Sequence, residues 1–204
     1  MLWRWKRRAV ISTIAMAGCI ICVGAWPSAD RSQSRSDEEP MNYMRLRPIG
    51  VVHTPFQKPE GTPIQPAMAD GARGTVTVFE EFQEGLKDLE GFERIWLICW
   101  FHLAPKARLL VTPFLDDQQR GVFATRAPAR PNPIGISPVR LLRVEGNILT
   151  VADVDIVDGT PLLDIKPYAP ALDCYQVKRS GWLDRARKSR RLADERFERD
   201  DHKE

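Results

Sequence analysis

The chain has 204 residues, 43% of them hydrophobic and 28% charged, with a formal net charge of +3. That composition excludes a disordered protein and leaves room for one ordinary domain with appendages. So small a charge excludes a uniformly basic nucleic-acid binder, and any attraction to phosphate has to come from local patches.

Residues 1–8, MLWRWKRR, carry four positive charges, and residues 9–26 then run without a charge. Eighteen helical residues cover about 27 Å, against about 30 Å of bilayer hydrocarbon, while a signal peptide's apolar region has about 7 to 15 residues. Residues 1–26 therefore read as a membrane anchor or a signal-like segment, with the basic end inside. Met16-Ala17-Gly18-Cys19 also resembles a lipoprotein cleavage box. A third alternative is a translation start at Met41 or Met44, which makes this stretch an untranslated leader. Residues 27–43 are polar and read as a flexible linker.

From 44 to 170 the pattern is strand-rich. Arg45–Thr54, Gly74–Phe79, Arg94–Leu103, Arg108–Thr112, Gly135–Val144 and Asn147–Val157 hold β-branched or aromatic residues bounded by Gly, Pro or Asp. Glu145-Gly146-Asn147 supplies a hairpin turn. Beyond it, Ile148, Ala152, Val154 and Ile156 are expected on one face, with Asp153 and Asp155 on the other. A short helix is expected over Glu80–Leu89. Strands at irregular spacing with one helix point to a mainly β fold, a small β-barrel, rather than a βαβ sheet. No G-x-G-x-x-G follows a strand, which argues against a dinucleotide-binding sheet.

Residues 171–204 read as a charged helical tail, with Leu183, Ala186, Ala193 and Phe197 at helical spacing. Lys178 to Arg191 holds seven basic residues against one acid, Asp184, which is either a solvated helix face or a contact for tRNA. The four cysteines, at 19, 22, 99 and 174, are too scattered for a disulfide scaffold, and Cys99 reads as a buried small hydrophobe. Histidines at 53, 102 and 203 show no metal-ligand spacing, so no metal is expected.

One stretch stands apart: Gly121 to Pro138, GVFATRAPARPNPIGISP, joins two arginines and an asparagine to four prolines. The prolines fix φ and restrict the preceding residues, so the polar groups are positioned before any ligand arrives. The plainer alternative is a stiff connection whose arginines are merely solvated.

Together with RPIGVVHTPF (47–56), GTPIQP (61–66), LKDLEGFERIWLICWFH (86–102) and DIVDGTPLLDIKPY (155–168), the segment GVFATRAPARPNPIGIS (121–137) resembles the TsaA-like family. The TrmO-type members of that family are S-adenosylmethionine-dependent tRNA (adenine-N6)-methyltransferases built on a small β-barrel. The resemblance implies S-adenosylmethionine as cofactor and threonylcarbamoyl-adenosine beside the tRNA anticodon as acceptor. It also implies a homodimer and a cytoplasmic location, whereas the apolar run of residues 9–26, if translated, leaves an inner-membrane anchor as the alternative.

Carried over by resemblance, Pro63, Ile64 and Gln65, the strand end His102-Leu103, Arg126 and Ile136 are cofactor-side residues. Ile64 stands where many members have Arg. His102 has a plainer alternative as a histidine at a barrel rim. The run Asp155, Ile156, Val157, Asp158 and Gly159 offers carboxylates for ribose hydroxyls or an ammonium, and alternatively an aspartate-capped turn. Arg130, Asn132, Asp164, Lys166 and Tyr168 are candidates for the acceptor side, and no general base is assigned. Two other functions stay open: methylation of a small molecule, and a non-catalytic, membrane-tethered ligand-binding module.

Overall fold

The computed structural model describes residues 44–186 and 191–197. The expected apolar segment at 9–26 and the linker at 27–43 lie outside them. Among the described residues no helix is long and apolar enough to cross a membrane.

The strands are β1 (Gly50–His53), β2 (Arg73–Val78), β3 (Arg94–Trp100), β4 (Leu110–Val111), β5 (Arg120–Gly121), β6 (Ile134–Glu145), β7 (Ile148–Ala152) and β8 (Thr160–Pro167). Six of them close a barrel in the order β1-β2-β7-β6-β3-β8, with every pair antiparallel. The period of two puts Val52, Val76, Val78, Ile95, Leu97, Cys99, Val139, Leu149, Val151 and Leu162 inside, each almost fully buried. Each large aliphatic side chain so removed from water stabilises the fold by roughly 1.5–3 kcal/mol. β1 and β2 approach closely at Gly50, where a Cβ would stand 2.3 Å from the Thr77 carbonyl oxygen on the neighbouring strand.

The structure corrects several expected elements. β1 begins at Gly50 rather than Arg45, after Pro48, which has no N–H for a ladder. β3 stops at Trp100 and the 108–112 strand shrinks to β4, which pairs with β5 outside the barrel. The sixth barrel strand, β8, falls where a turn and site residues were expected. Its register shifts opposite Ile98/Cys99, which lets both Leu162 and Ile165 face the core.

β7 ends at Ala152 because Asp153 adopts φ 63°. That left-handed residue resets the alternation, so Ile148 is exposed while Leu149, Val151, Val154 and Ile156 are buried. The helix over Glu80–Leu89 appears as a 3-10 segment, Glu80–Leu86, and a second turn, Leu89–Gly91, separated by left-handed Asp88.

The described part of the tail forms no α-helix longer than the four-residue Pro170–Asp173. Gly181–Arg185 and Glu195–Phe197 are isolated 3-10 turns, and Leu192 makes an antiparallel bridge with Pro63. A short helix in water is marginal, and here main-chain pairing and the burial of Phe197 take its place.

Candidate functional site

Arg126 projects from a loop fastened on both sides. Before it, Val122–Ala124 forms a 3-10 turn, and the Thr125 hydroxyl donates to the Val122 carbonyl at 2.9 Å. After it, Ala127 and Ala129 are buried in a small second core with Val111, Val122 and Phe197. Arg130 turns inward on its own loop, donating to the carbonyls of Val122 at 3.1 Å and Thr125 at 2.9 Å. With Thr125 and Arg130 bonded within the loop, the exposed Arg126 guanidinium is the group this loop offers outward.

Its partner comes from a distant loop: Arg126 donates to the Gln65 side-chain oxygen, and the Gln65 amide nitrogen donates to the Ile64 carbonyl at 2.6 Å. Pro63 is buried beside them, while Ile64 and Gln65 are half-buried.

The third element is Asp155, beyond β7. Its carboxyl is bonded by the Ser137 hydroxyl and lies within electrostatic reach of Arg126, yet its Oδ1 atom is buried without a hydrogen-bond partner. Burial pushes the carboxyl up to about 7, against the opposing pull of the Ser137 bond and the Arg126 charge. The same neighbourhood holds the Cys99 thiol, pushed up to about 12 by burial and by the Asp155 charge. An orphaned carboxylate oxygen within electrostatic reach of a guanidinium is suited to a ligand that carries both a donor group and an anionic group.

Asp158 has other work. Its Oδ1 accepts from the Thr54 N–H at 2.9 Å and stands 3.5 Å from His53 Nδ1, and its carboxyl is held below the usual range by the Thr54 bond first and the His53 charge after it. Gly159 follows at φ 72°, so Asp158-Gly159 is a capped turn leading into β8. Ile156 is buried in the core, and the Val157 carbonyl accepts from the Thr160 hydroxyl at 2.6 Å.

His102 and Leu103 are half-buried just past β3, three and four residues beyond Cys99, and the His102 Nδ1 atom is buried. Asn132 is exposed in the proline run. Ile136 pairs with Ile98 and is exposed on the outer face of the β6-β3-β8 sheet, opposite the inward Ser137 and Cys99. That outer face also carries Asp164 and Lys166, 2.8 Å apart as an ion pair, and Tyr168, whose ring lies 5.5 Å from that of Trp96. The structure therefore links Gln65 to Arg126 and Arg126 to Asp155, whereas Ile136, Asp164, Lys166 and Tyr168 lie on the sheet face opposite the inward Ser137 that bonds Asp155.

Ser137 and Cys99 were not among the candidates. A hydroxyl at an inward strand position, between Gly135 and Val139, is the signal that marks Ser137: a buried polar side chain there requires a partner.

Comparison with known proteins finds relatives of this chain. Residues 51–174 match the model described as the tRNA-methyltransferase O N-terminal domain. A Pyrococcus abyssi protein, described as a probable S-adenosyl-L-methionine-binding protein, is 58% identical over 139 residues, covering 68% of this chain and 76% of its own. An Archaeoglobus fulgidus S-adenosyl-L-methionine-binding protein is 42% identical, covering 64% of this chain and 94% of its own. The mouse tRNA (adenine(37)-N6)-methyltransferase is 38% identical over 63% of this chain, which spans 32% of the mouse protein. Among solved structures, TrmO from Pseudomonas aeruginosa superposes with a TM-score of 0.58 at 39% identity, covering 68% of this chain and 62% of that one.

Proposed function

The chain belongs to the tRNA-methyltransferase O N-terminal domain family, and from that premise we propose that it is an S-adenosylmethionine-dependent methyltransferase of tRNA. Its acceptor in this reading is the N6 amine of the threonylcarbamoyl-adenosine next to the anticodon. The observation that carries the proposal is the buried, unpartnered Asp155 Oδ1 set beside the Arg126–Gln65 pair.

The residues present fit the cofactor. Arg126 is a fork of donors for the carboxylate of a methionine moiety, Asp155 an acceptor for its ammonium or for ribose hydroxyls, and the Gln65 amide a reader of polar edges. When bound, S-adenosylmethionine supplies an electrophilic methyl group that an adenosine N6 lone pair can take, the S–C bond electrons returning to sulfur and the N6 proton leaving. For such a transfer the protein's contribution is positioning and exclusion of water rather than a nucleophile. The fastened loop around Arg126 and the buried wall of Asp155, Ser137 and Cys99 provide both.

Purified protein given S-adenosylmethionine and tRNA carrying threonylcarbamoyl-adenosine is expected to yield the N6-methylated nucleoside, read by mass spectrometry of the digested tRNA. If no methylated nucleoside forms, the acceptor assignment fails. Methyl transfer that persists after ribonuclease treatment supports a small-molecule acceptor instead. Because tRNA is the acceptor, this reading places the barrel in the cytoplasm.

The proposal extends to a homodimer. Trp100, Ile134 and Ile136 are 47%, 41% and 52% exposed on adjacent strands of the outer β6-β3 face, an apolar patch that a second copy would cover. Ile136→Asp is expected to lower the mass seen by light scattering from dimer to monomer. A wild-type mass of one chain at micromolar concentration sinks this assignment.

A further inference from the structure

We infer that residues 191–197 are a positioning strap for the ligand site, a seven-residue strip that ties the Gln65 loop to the Arg126 loop and so holds their side chains in register. The inference rests on the reading of Gln65 and Arg126 as contacts for S-adenosylmethionine.

The first half of the strip pairs with the Gln65 loop. The Ile64 N–H donates to the Arg191 carbonyl at 2.9 Å, the Ala193 N–H to the Thr62 carbonyl at 2.8 Å, and the Gly61 N–H to the Ala193 carbonyl at 2.9 Å. These bonds flank the Pro63–Leu192 bridge, so the residues leading to Gln65 gain a strand edge from the strip alone among the described pairings. Leu192 is 51% exposed, which makes the attachment here one of main chain rather than side chain. Arg191 adds an ion pair with Asp70 at the surface.

The second half is fixed beneath the Arg126 loop. Phe197 is 4% exposed, and it packs with Val122, Ala127 and Ala129, which flank Arg126, and edge-on against Phe114 at 5.2 Å between ring centroids. Arg196 donates to the Pro113 carbonyl at 2.9 Å and is paired with Asp194 at 2.7 Å.

The joint between the two loops is the Arg126–Gln65 hydrogen bond, made by an exposed and a half-buried side chain. Two surface side chains hold one geometry only if their backbones do, and the strip supplies that constraint without reaching the ligand. Its contribution is therefore to preorganisation, and it acts through Arg126.

The experiment is a double-mutant cycle read by calorimetric titration with S-adenosylmethionine. Phe197→Ala is expected to weaken cofactor binding about tenfold and to raise its KM while leaving kcat at saturating cofactor. In an Arg126→Ala background the same change is expected to have less than a twofold effect, and Phe197→Leu to restore most of the affinity. Ala193→Pro, which deletes the N–H bonded to Thr62 and lies outside both apolar clusters, serves if Phe197→Ala does not fold. Without ligand, the Arg126 guanidinium resonances should exchange faster with water in either variant. Additive losses in the cycle, or unchanged affinity and exchange, overturn the strap. Absence of cofactor binding by the wild-type chain overturns the cofactor reading instead, and the guanidinium exchange then decides the strap by itself.

Discussion

Arg126→Ala is expected to weaken S-adenosylmethionine binding by about 10- to 100-fold, the range for losing hydrogen bonds to a charged group. The guanidinium is exposed and contacts Gln65, while the loop that carries it is secured by Arg130, Thr125 and the buried alanines. Its removal therefore takes away the proposed ligand contact without opening the core, and the melting temperature should stay within about 2 °C of wild type, as for surface changes generally. Arg126→Lys should recover only part of the affinity, since an ammonium has no planar fork for a carboxylate. Calorimetric titration measures all of this, and unchanged affinity in the alanine variant would return the 121–138 segment to a stiff connection.

The second large effect is a pH dependence that belongs to Asp155. Burial pushes its carboxyl up to about 7, and in the proposed role of acceptor it would serve the ligand only when ionised. Between pH 6 and pH 8 its ionised fraction rises from about one tenth to about nine tenths, so cofactor affinity should rise by about tenfold. In Asp155→Asn that rise should vanish, with affinity low at both pH values.

Stability runs the other way. The folded-state value lies above the ordinary 3.8, so the stabilisation from binding this proton is complete below about pH 4 and is lost as pH climbs through 7. Asp155→Asn should consequently melt above wild type at pH 8, by about 2–4 °C for each kcal/mol of relieved strain, with the gap narrowing as pH falls below 7 and closing only below about pH 4. A variant that melts lower at pH 8 would mean that the buried carboxylate is stabilising, and would remove the physical basis for its role.

Much of the barrel was legible because its inward positions alternate cleanly. The residues of β2 alternate with a period of two, those of β3 form a β-branched and aromatic run from Ile95 to Trp100, and Gly146 marks the tight hairpin between β6 and β7. The misses share a cause in single residues that reset a phase. Asp153 at φ 63° inverts the expected faces around Ile148, and the register shift opposite Cys99 hides β8, whose Pro161 and Pro167 also read as turn residues. Helical spacing of Leu183, Ala186, Ala193 and Phe197 was real in the sequence, but Phe197 found its burial beside Ala127 and Ala129 instead.

For the site, resemblance pointed to Gln65 and Arg126 and the fold brings them together. The run from Asp155 to Asp158 offered two equivalent carboxylates, and nothing local distinguishes them. What separates them is tertiary: Thr54 and His53 occupy Asp158, whereas a barrel wall desolvates Asp155. The inward position of Ser137 marked a hydroxyl in need of a partner, but that partner lies eighteen positions on and only the fold brings the two together.

Closure of the barrel by β8 also sets how the molecule comes to exist. β8 pairs with β3 along one edge and with β1 along the other, in the register Gly50↔Leu162. Until Thr160–Pro167 has been synthesised, β1 and β3 both present open edges, the feature that invites pairing with other chains. So non-local a final step puts folding in the range of milliseconds to seconds, on the order of that for other closed β topologies. A growing chain is therefore exposed to misassembly for the whole interval between its first strand and its last.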